Sequence, residues 1–278
     1  MKARIALLVA TTLVAVTGCA AVDEVMNPGT TAAPSPRPVA TTTKASRIWH
    51  PGHGLTWQIQ YSGELAATTA QVVDLDGVET TKAQVAALHA QGKKVICYLN
   101  AGGYESWRPD RKKFPRSVIG KPLGDWPGER WLDIRKLKKL MPIMTKRIQQ
   151  CKAKGFDAVD PDNMDGYANA PTGFPLKQKH ALAYLKALRK AAHARGLAIG
   201  LKGALELVGK ATGLVEFAVN EQCLQYDECG AYAPLTRVGK PVFHIEYQGS
   251  MDSICPRVPA GFSTVRKHLE LDAWAEHC

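Results

Sequence analysis

The feature that most constrains this chain is an alternation of short apolar segments with helical ones, running from residue 54 to the end. Eight segments read as strands: 56–61, 71–74, 94–100, 156–160, 197–202, 214–220, 241–247 and 262–266. Helix patterns lie between several of them, most clearly at 80–91, 134–154 and 176–195. In the last, Leu182, Leu185, Leu188 and Ala192 recur at helical spacing, and Gly196 supplies a stop signal. Pro142 is expected to break the second, with a new helix starting near it. Strand–helix order implies parallel strands with helices outside. Eight such units predict an α/β fold, a single (β/α)8 TIM-type barrel over residues 48–278. That length also suits two small domains. A doubly wound open sheet is the other alternative, disfavoured because no G-x-G-x-x-G follows the first strand.

Polar residues gather at the C-terminal ends of seven of these strands: Gln60 and Tyr61, Asp74 and Asp76, Tyr98 and Asn100, Asp160 and Asp162, Lys202, Asn220 and Glu221, Glu246 and Tyr247. In a barrel those ends share one rim, where barrel enzymes hold their chemistry. Aromatic residues cluster there too: Trp57, Tyr61, Tyr98, Tyr104, Trp107, Tyr167 and Tyr247. Sugar rings present apolar faces that pack on aromatics, while their hydroxyls need partners such as Asn100 and Asn220. Trp57, Tyr61, Asp74, Tyr98, Asn100, Trp107, Lys202, Asn220, Glu246 and Tyr247 are therefore expected to bind substrate.

The densest chemical feature is Asp157-Ala158-Val159-Asp160-Pro161-Asp162-Asn163-Met164-Asp165. Alternation turns Ala158 and Asp160 toward the barrel interior, with Asp162 just above at the rim. A calcium loop fails on spacing, because position five from Asp160 is Met164 and position six is Asp165 rather than glycine. Neither a metal nor another cofactor is expected. A second carboxylate, Glu221, ends strand six. Two strands separated by one other lie roughly 10 Å apart, which brings inward carboxyls to about 5–9 Å. Glycosidic cleavage uses two acids at such a separation, one protonated and one ionised. The range covers both retaining and inverting geometry. Lys202, on the strand between, is placed to hold one of them ionised.

The N-terminus sets the compartment. Lys2 and Arg4 precede an apolar run at 5–16 that is too short for an ordinary spanning helix. Val16-Thr17-Gly18-Cys19 follows and resembles a bacterial lipobox, which predicts a signal peptide at 1–18 and lipidation of Cys19. Residues 19–47 are rich in Ala, Thr and Pro and read as a tether without a core of its own. The expected location is extracytoplasmic, anchored to the bacterial cell membrane by lipid. Six of the seven cysteines then remain, enough for three disulfides in an exported protein. Cys223 with Cys229, and Cys255 with Cys278, are the preferred pairs; Cys97 and Cys151 are either bridged or two buried thiols. The formal charge is +11, but no basic run is interleaved with aromatics, so no nucleic-acid partner is expected. The protein is expected to be a monomer.

Several motifs together resemble glycoside hydrolase family 114. They are Val95-Ile96-Cys97-Tyr98-Leu99-Asn100-Ala101-Gly102 with Glu105-Ser106-Trp107-Arg108-Pro109-Asp110, Trp126-Pro127-Gly128-Glu129 with Trp131-Leu132-Asp133-Ile134, and Asp157-Ala158-Val159-Asp160-Pro161-Asp162-Asn163. Gly200-Leu201-Lys202, Phe217-Ala218-Val219-Asn220-Glu221-Gln222-Cys223 and Val242-Phe243-His244-Ile245-Glu246-Tyr247 complete the set. The resemblance spans about 50–278. It implies a barrel that cleaves an α-1,4-linked galactosamine or N-acetylgalactosamine polysaccharide internally. It also implies catalysis by Asp162 as nucleophile and Glu221 as general acid/base, with Asp160 as a third catalytic acid in support. A polysaccharide-binding lipoprotein without turnover is the rival.

Overall fold

In a computed structural model of the protein, the structure describes residues 48–278 apart from 125 and 170. The signal peptide, Cys19 and the tether lie outside the described residues. Eight parallel strands form the frame: β1 Trp57–Gln60, β2 Val72–Asp76, β3 Lys94–Asn100, β4 Ala158–Asp162, β5 Ala198–Lys202, β6 Phe217–Glu221, β7 Val242–Glu246 and β8 Phe262–Arg266. Each pairs in parallel with the next. β1 and β8 come together to curl the sheet into a barrel. The C-terminal segment seals this seam: the N–H groups of Tyr61 and Ser62 donate to Leu271 O, and Gln58 and Lys267 join across it.

Alternation along the strands makes two apolar layers. Trp57, Ile59, Val72, Ile96, Ala158, Ala198, Phe217, Val219, Phe243, Ile245 and Val265 point inward and pack on one another. Gly200 also points inward, and a Cβ there would sit 2.5 Å from the Phe217 ring, so the glycine makes room for that ring. Val73, Leu75, Val95, Cys97, Val159 and Leu201 point outward against the helices. Three long helices cover that outer face: α1 Lys82–Ala90, α2 Leu137–Lys154 and α3 Gln178–His193. Cys97 on β3 is bonded to Cys151 on α2, so the alternative of two free thiols is set aside. Cys223–Cys229 and Cys255–Cys278 are the other two disulfides.

One feature departs from the sequence expectation, and a second lies where no element was expected. α2 runs through Pro142 without a break. Proline there forfeits only its own bond to the Lys138 carbonyl, close to the start of the helix and on its exposed side, where water can take that carbonyl. The connection from β3 to α2 is also not a plain loop. It folds into a small antiparallel sheet of Gly103–Glu105, Glu129–Leu132 and Ile119–Pro122. This arm stands over the rim. It is tied down by Arg108, which is buried and donates to Asp76 at 3.0 and 2.5 Å and to Glu105 at 2.8 Å. No helix among the described residues is long and apolar enough to cross a membrane.

Candidate active site

Each catalytic candidate sits on a strand end whose backbone bends sharply just beyond it. Asn163 follows β4 with φ 59°, Ala204 lies two residues past β5 with φ 52°, and Gln222 follows β6 with φ 66°. Left-handed conformations in non-glycine residues cost about 1–3 kcal/mol each and cluster at functional sites. The bend at Asn163 wraps that residue onto Asp162. Its backbone N–H donates to Asp162 Oδ1 at 2.7 Å and its side-chain amide to Oδ2 at 3.3 Å. Gly102 permits this, because a Cβ there would lie 1.6 Å from Asn163 O. Tyr98 completes the cradle by donating its hydroxyl to Asp162 Oδ2 at 3.1 Å.

Glu221 ends β6. Lys202 Nζ lies 2.5 Å from its Oε2, and the Tyr247 hydroxyl donates to Oε1. Burial disfavours its charge, but the Lys202 ammonium and the Tyr247 bond outweigh that and hold the carboxyl below its usual range. Asp162 moves the other way. Burial and the facing Glu221 push it up, opposed by Lys202, Asn163 and Tyr98. In the free site, then, Glu221 is the acid held ionised.

Asp162, Glu221, Lys202, Tyr61, Tyr98, Trp107 and Tyr247 all line one cleft above the barrel mouth. Its volume of about 440 Å³ falls in the range of ligand-binding clefts. Tyr61 and Tyr98 pack with ring centroids 4.3 Å apart at its base. Trp107, 52 % exposed, stands on its wall.

The other expected site residues lie elsewhere. Trp57 is 1 % exposed and packs on Phe243 in the barrel floor, because it begins β1 rather than ending it. Asp74 is fully buried one layer below the rim, and its neighbour in register, Asp76, is the residue that reaches the cleft. Asp160 is likewise fully buried, beneath Asp162, and cannot touch a substrate. Asn220 and Glu246 face outward, opposite in parity to Glu221 and Tyr247. Asn220 donates to the Tyr232 hydroxyl and accepts from Cys223 N–H, while Glu246 accepts from Leu224 N–H and bonds His244. Both hold the loop after β6 in place. Asn100 is buried behind the cleft, donating to Glu129 at 2.8 Å and accepting from Asn163 at 3.0 Å.

Several cleft residues are not among those expected to bind substrate, and two of them stand out. Glu129 and Trp126 come from the small antiparallel sheet and its turn. Burial and the nearby Glu105 and Asp162 push the Glu129 carboxyl up to about 7. Trp126 is 51 % exposed and stands with Trp107 on the arm side of the cleft. Among the described residues, one group of histidine, cysteine and acidic side chains is close enough to share an ion, Cys223, Cys229 and His244, and its two sulfurs are already bonded to each other.

Comparison with known proteins places this geometry. The sequence model of glycoside-hydrolase family GH114 matches residues 38–278. A search of curated protein sequences found no match. Among solved structures, Aspergillus fumigatus Ega3, crystallised in complex with galactosamine, is 40 % identical. That match covers 85 % of this chain and all of Ega3, with a TM-score of 0.79. The glycoside hydrolase domain of PelA from Pseudomonas aeruginosa shares the fold at 14 % identity, covering 80 % of this chain and 98 % of its own, with a TM-score of 0.63. A barrel with two opposed carboxylates in its mouth and a family match along nearly its whole length leads to one conclusion: this chain belongs to glycoside-hydrolase family GH114.

Proposed function

We propose that the protein is an endo-acting hydrolase of an α-1,4-linked polysaccharide containing galactosamine or N-acetylgalactosamine. The observation that carries this reading is that Asp162 and Glu221 open into the same cleft from β4 and β6. Asp162 attacks the anomeric carbon while Glu221, ionised in the free site, takes up a proton from solvent as substrate binds and gives it to the departing oxygen, so the glycosidic bond breaks and an ester to Asp162 forms. Glu221, now ionised, takes a proton from water as the water oxygen displaces Asp162.

The cleft's charge favours an amino sugar. Asp76, Glu79, Glu129, Asp162, Asp165 and Glu221 face it against Arg108 and Lys202, and Arg108 is already bonded to Asp76 and Glu105. The basic excess sits largely off the cleft lining, since of the basic side chains in residues 106–154 only Arg108 is among the described residues that line it. Residues 106–154 hold 15 basic and 4 acidic side chains, and the rest of the chain carries 21 of each. A cationic polymer therefore meets an acidic mouth on a basic protein. Galactosamine in the Ega3 complex agrees with this choice. An open cleft with exposed Trp107 and Trp126 suits internal cleavage of a long chain. Three disulfides fit an oxidising compartment. Export on a signal peptide, lipid attachment at Cys19 and a monomeric state complete the proposal.

The test is incubation of the purified protein with α-1,4-galactosamine polymers of graded acetylation, followed by mass analysis. Oligosaccharides of several lengths appearing early are the expected result. Binding without fragments across the panel would mark a polysaccharide-binding protein instead.

A further inference from the structure

The small sheet of the arm has two faces, and the mechanism above uses one of them. Directly paired residues on neighbouring strands project to the same side, and successive residues alternate between sides. Glu105 pairs with Glu129, and on that side Glu105 binds the buried Arg108 while Glu129 opens into the cleft. Tyr104 pairs with Arg130, and Arg130 with Pro122, so these three form a row across all three strands on the other side. The row lines a hollow of its own, with a volume of about 400 Å³. The Tyr104 ring stands there at right angles to Phe114, with the centroids 5.7 Å apart. Trp126 and Glu129 line both this hollow and the cleft, so the two spaces meet at a shared wall.

The hollow differs from the cleft in charge. Glu129 is the one acid among the described residues that line it, and its carboxylate already accepts from Asn100 at 2.8 Å. Arg130 is exposed, lines the same space and offers only hydrogen-bond donors. An ammonium group entering there meets a guanidinium. An acetamide group fits better: its carbonyl oxygen accepts from Arg130, and its methyl packs on Tyr104 and Trp126. Continuity supplies the occupant, because a polymer cut internally runs on beyond the scissile bond, and the hollow begins where the cleft wall ends. Resting on the proposed reading of the cleft, we propose that the outer face of the arm is a second saccharide site, which holds an N-acetylated unit of the chain being cut. The acidic cleft takes units with a free amine, and the arm takes an acetylated one at a fixed distance from the cut. The protein therefore selects partially acetylated stretches over uniform ones.

The experiment digests an α-1,4-galactosamine polymer, acetylated at random on about half its units, with the purified protein. The fragments are sequenced by tandem mass spectrometry, and acetylation is scored at each position counted from the newly made ends. Wild type should show one position where acetylated units outnumber free amines about tenfold, the scale on which one methyl and one hydrogen bond discriminate. Arg130→Glu should invert that position toward free amines while the units flanking the cut keep their pattern. Tyr104→Ala should bring the same position close to the polymer average, and Tyr104→Phe, which keeps the ring, should restore the enrichment. Should Tyr104→Ala melt well below wild type, the charge swap at exposed Arg130 still decides. Random acetylation at every position beyond the cut, or an Arg130→Glu pattern identical to wild type, would overturn the second site and leave the reading of the cleft standing. If no galactosamine polymer at any degree of acetylation yields fragments, the proposed function fails and the second site falls with it.

Discussion

The floor and the mouth of the barrel are made by the same eight strands and follow opposite rules. In the floor, Trp57, Ile59, Phe217 and Phe243 interlock with Gly200 giving way to a ring. In the mouth, Asp74, Asp160, Asp162 and Glu221 crowd around Lys202, and three left-handed non-glycine residues bend the chain beyond β4, β5 and β6. The floor gains free energy from close packing. The mouth spends some of it on strain and unpaired charge, which the disulfide from β3 to α2 and the Arg108 clamp hold in place. Substitutions in the two regions should consequently separate stability from activity.

The largest separation is expected at Asp162. Asp162→Asn should lower kcat/KM about 10⁴-fold, roughly 5.5 kcal/mol, while the melting temperature holds or rises because a crowded like charge is gone. Turnover and thermal melting on the same preparation check this, and a joint loss of both would erase the distinction. Trp57→Ala is the mirror case. It should cost about 3–5 kcal/mol of stability through the cavity it leaves, yet well below the melting temperature each folded molecule should keep its turnover within about threefold. Denaturant titration with an active-site count decides it.

A smaller effect concerns pH. Burial and neighbouring charges raise the Asp160 carboxyl to about 8, well above its value in the unfolded chain, so the native state binds that proton more tightly. The stability it contributes is complete below pH ~4 and is lost as pH climbs toward 8. Asp160→Asn should flatten the decline in denaturant midpoint over that window, and an unchanged slope would show that the group is not the source. Smallest is Trp126→Ala. Losing one sugar platform should raise KM about tenfold, near 1.4 kcal/mol, without changing kcat. A change confined to kcat would place Trp126 in the chemistry rather than in binding.

Much of the frame was readable in the residues because periodicity is a local property. Alternation in β4 and β5 oriented Asp160, Asp162 and Lys202 correctly, and the three clearest helical patterns are the three long helices. Parity along β6 and β7 carried more than was drawn from it. Asn220 and Glu221 are neighbours, so they point to opposite faces, and the same holds for Glu246 and Tyr247. Trp57 and Asp74 lie below the rim for a related reason, since depth depends on where a strand begins in the barrel and not on its composition. Apolar runs begin before the strands do, as Phe156 and Val215 bury ahead of β4 and β6, which shifted both expected strands toward the N-terminus. Glu129 and Trp126 were out of reach. Glu129 begins a strand of four residues and Trp126 lies in the turn before it, and they meet the site through the pairing of Gly103 with Trp131, a contact no local pattern encodes.

Catalysis by this pair requires one carboxylate to attack and the other to carry the proton. With a dinitrophenyl galactosaminide, Glu221→Gln should form the glycosyl ester but hydrolyse it slowly, so that it accumulates. Intact-mass analysis and peptide mapping should then find one added sugar on Asp162. A sugar on any other residue, or no adduct under conditions where the wild-type protein turns the compound over, would contradict the assignment.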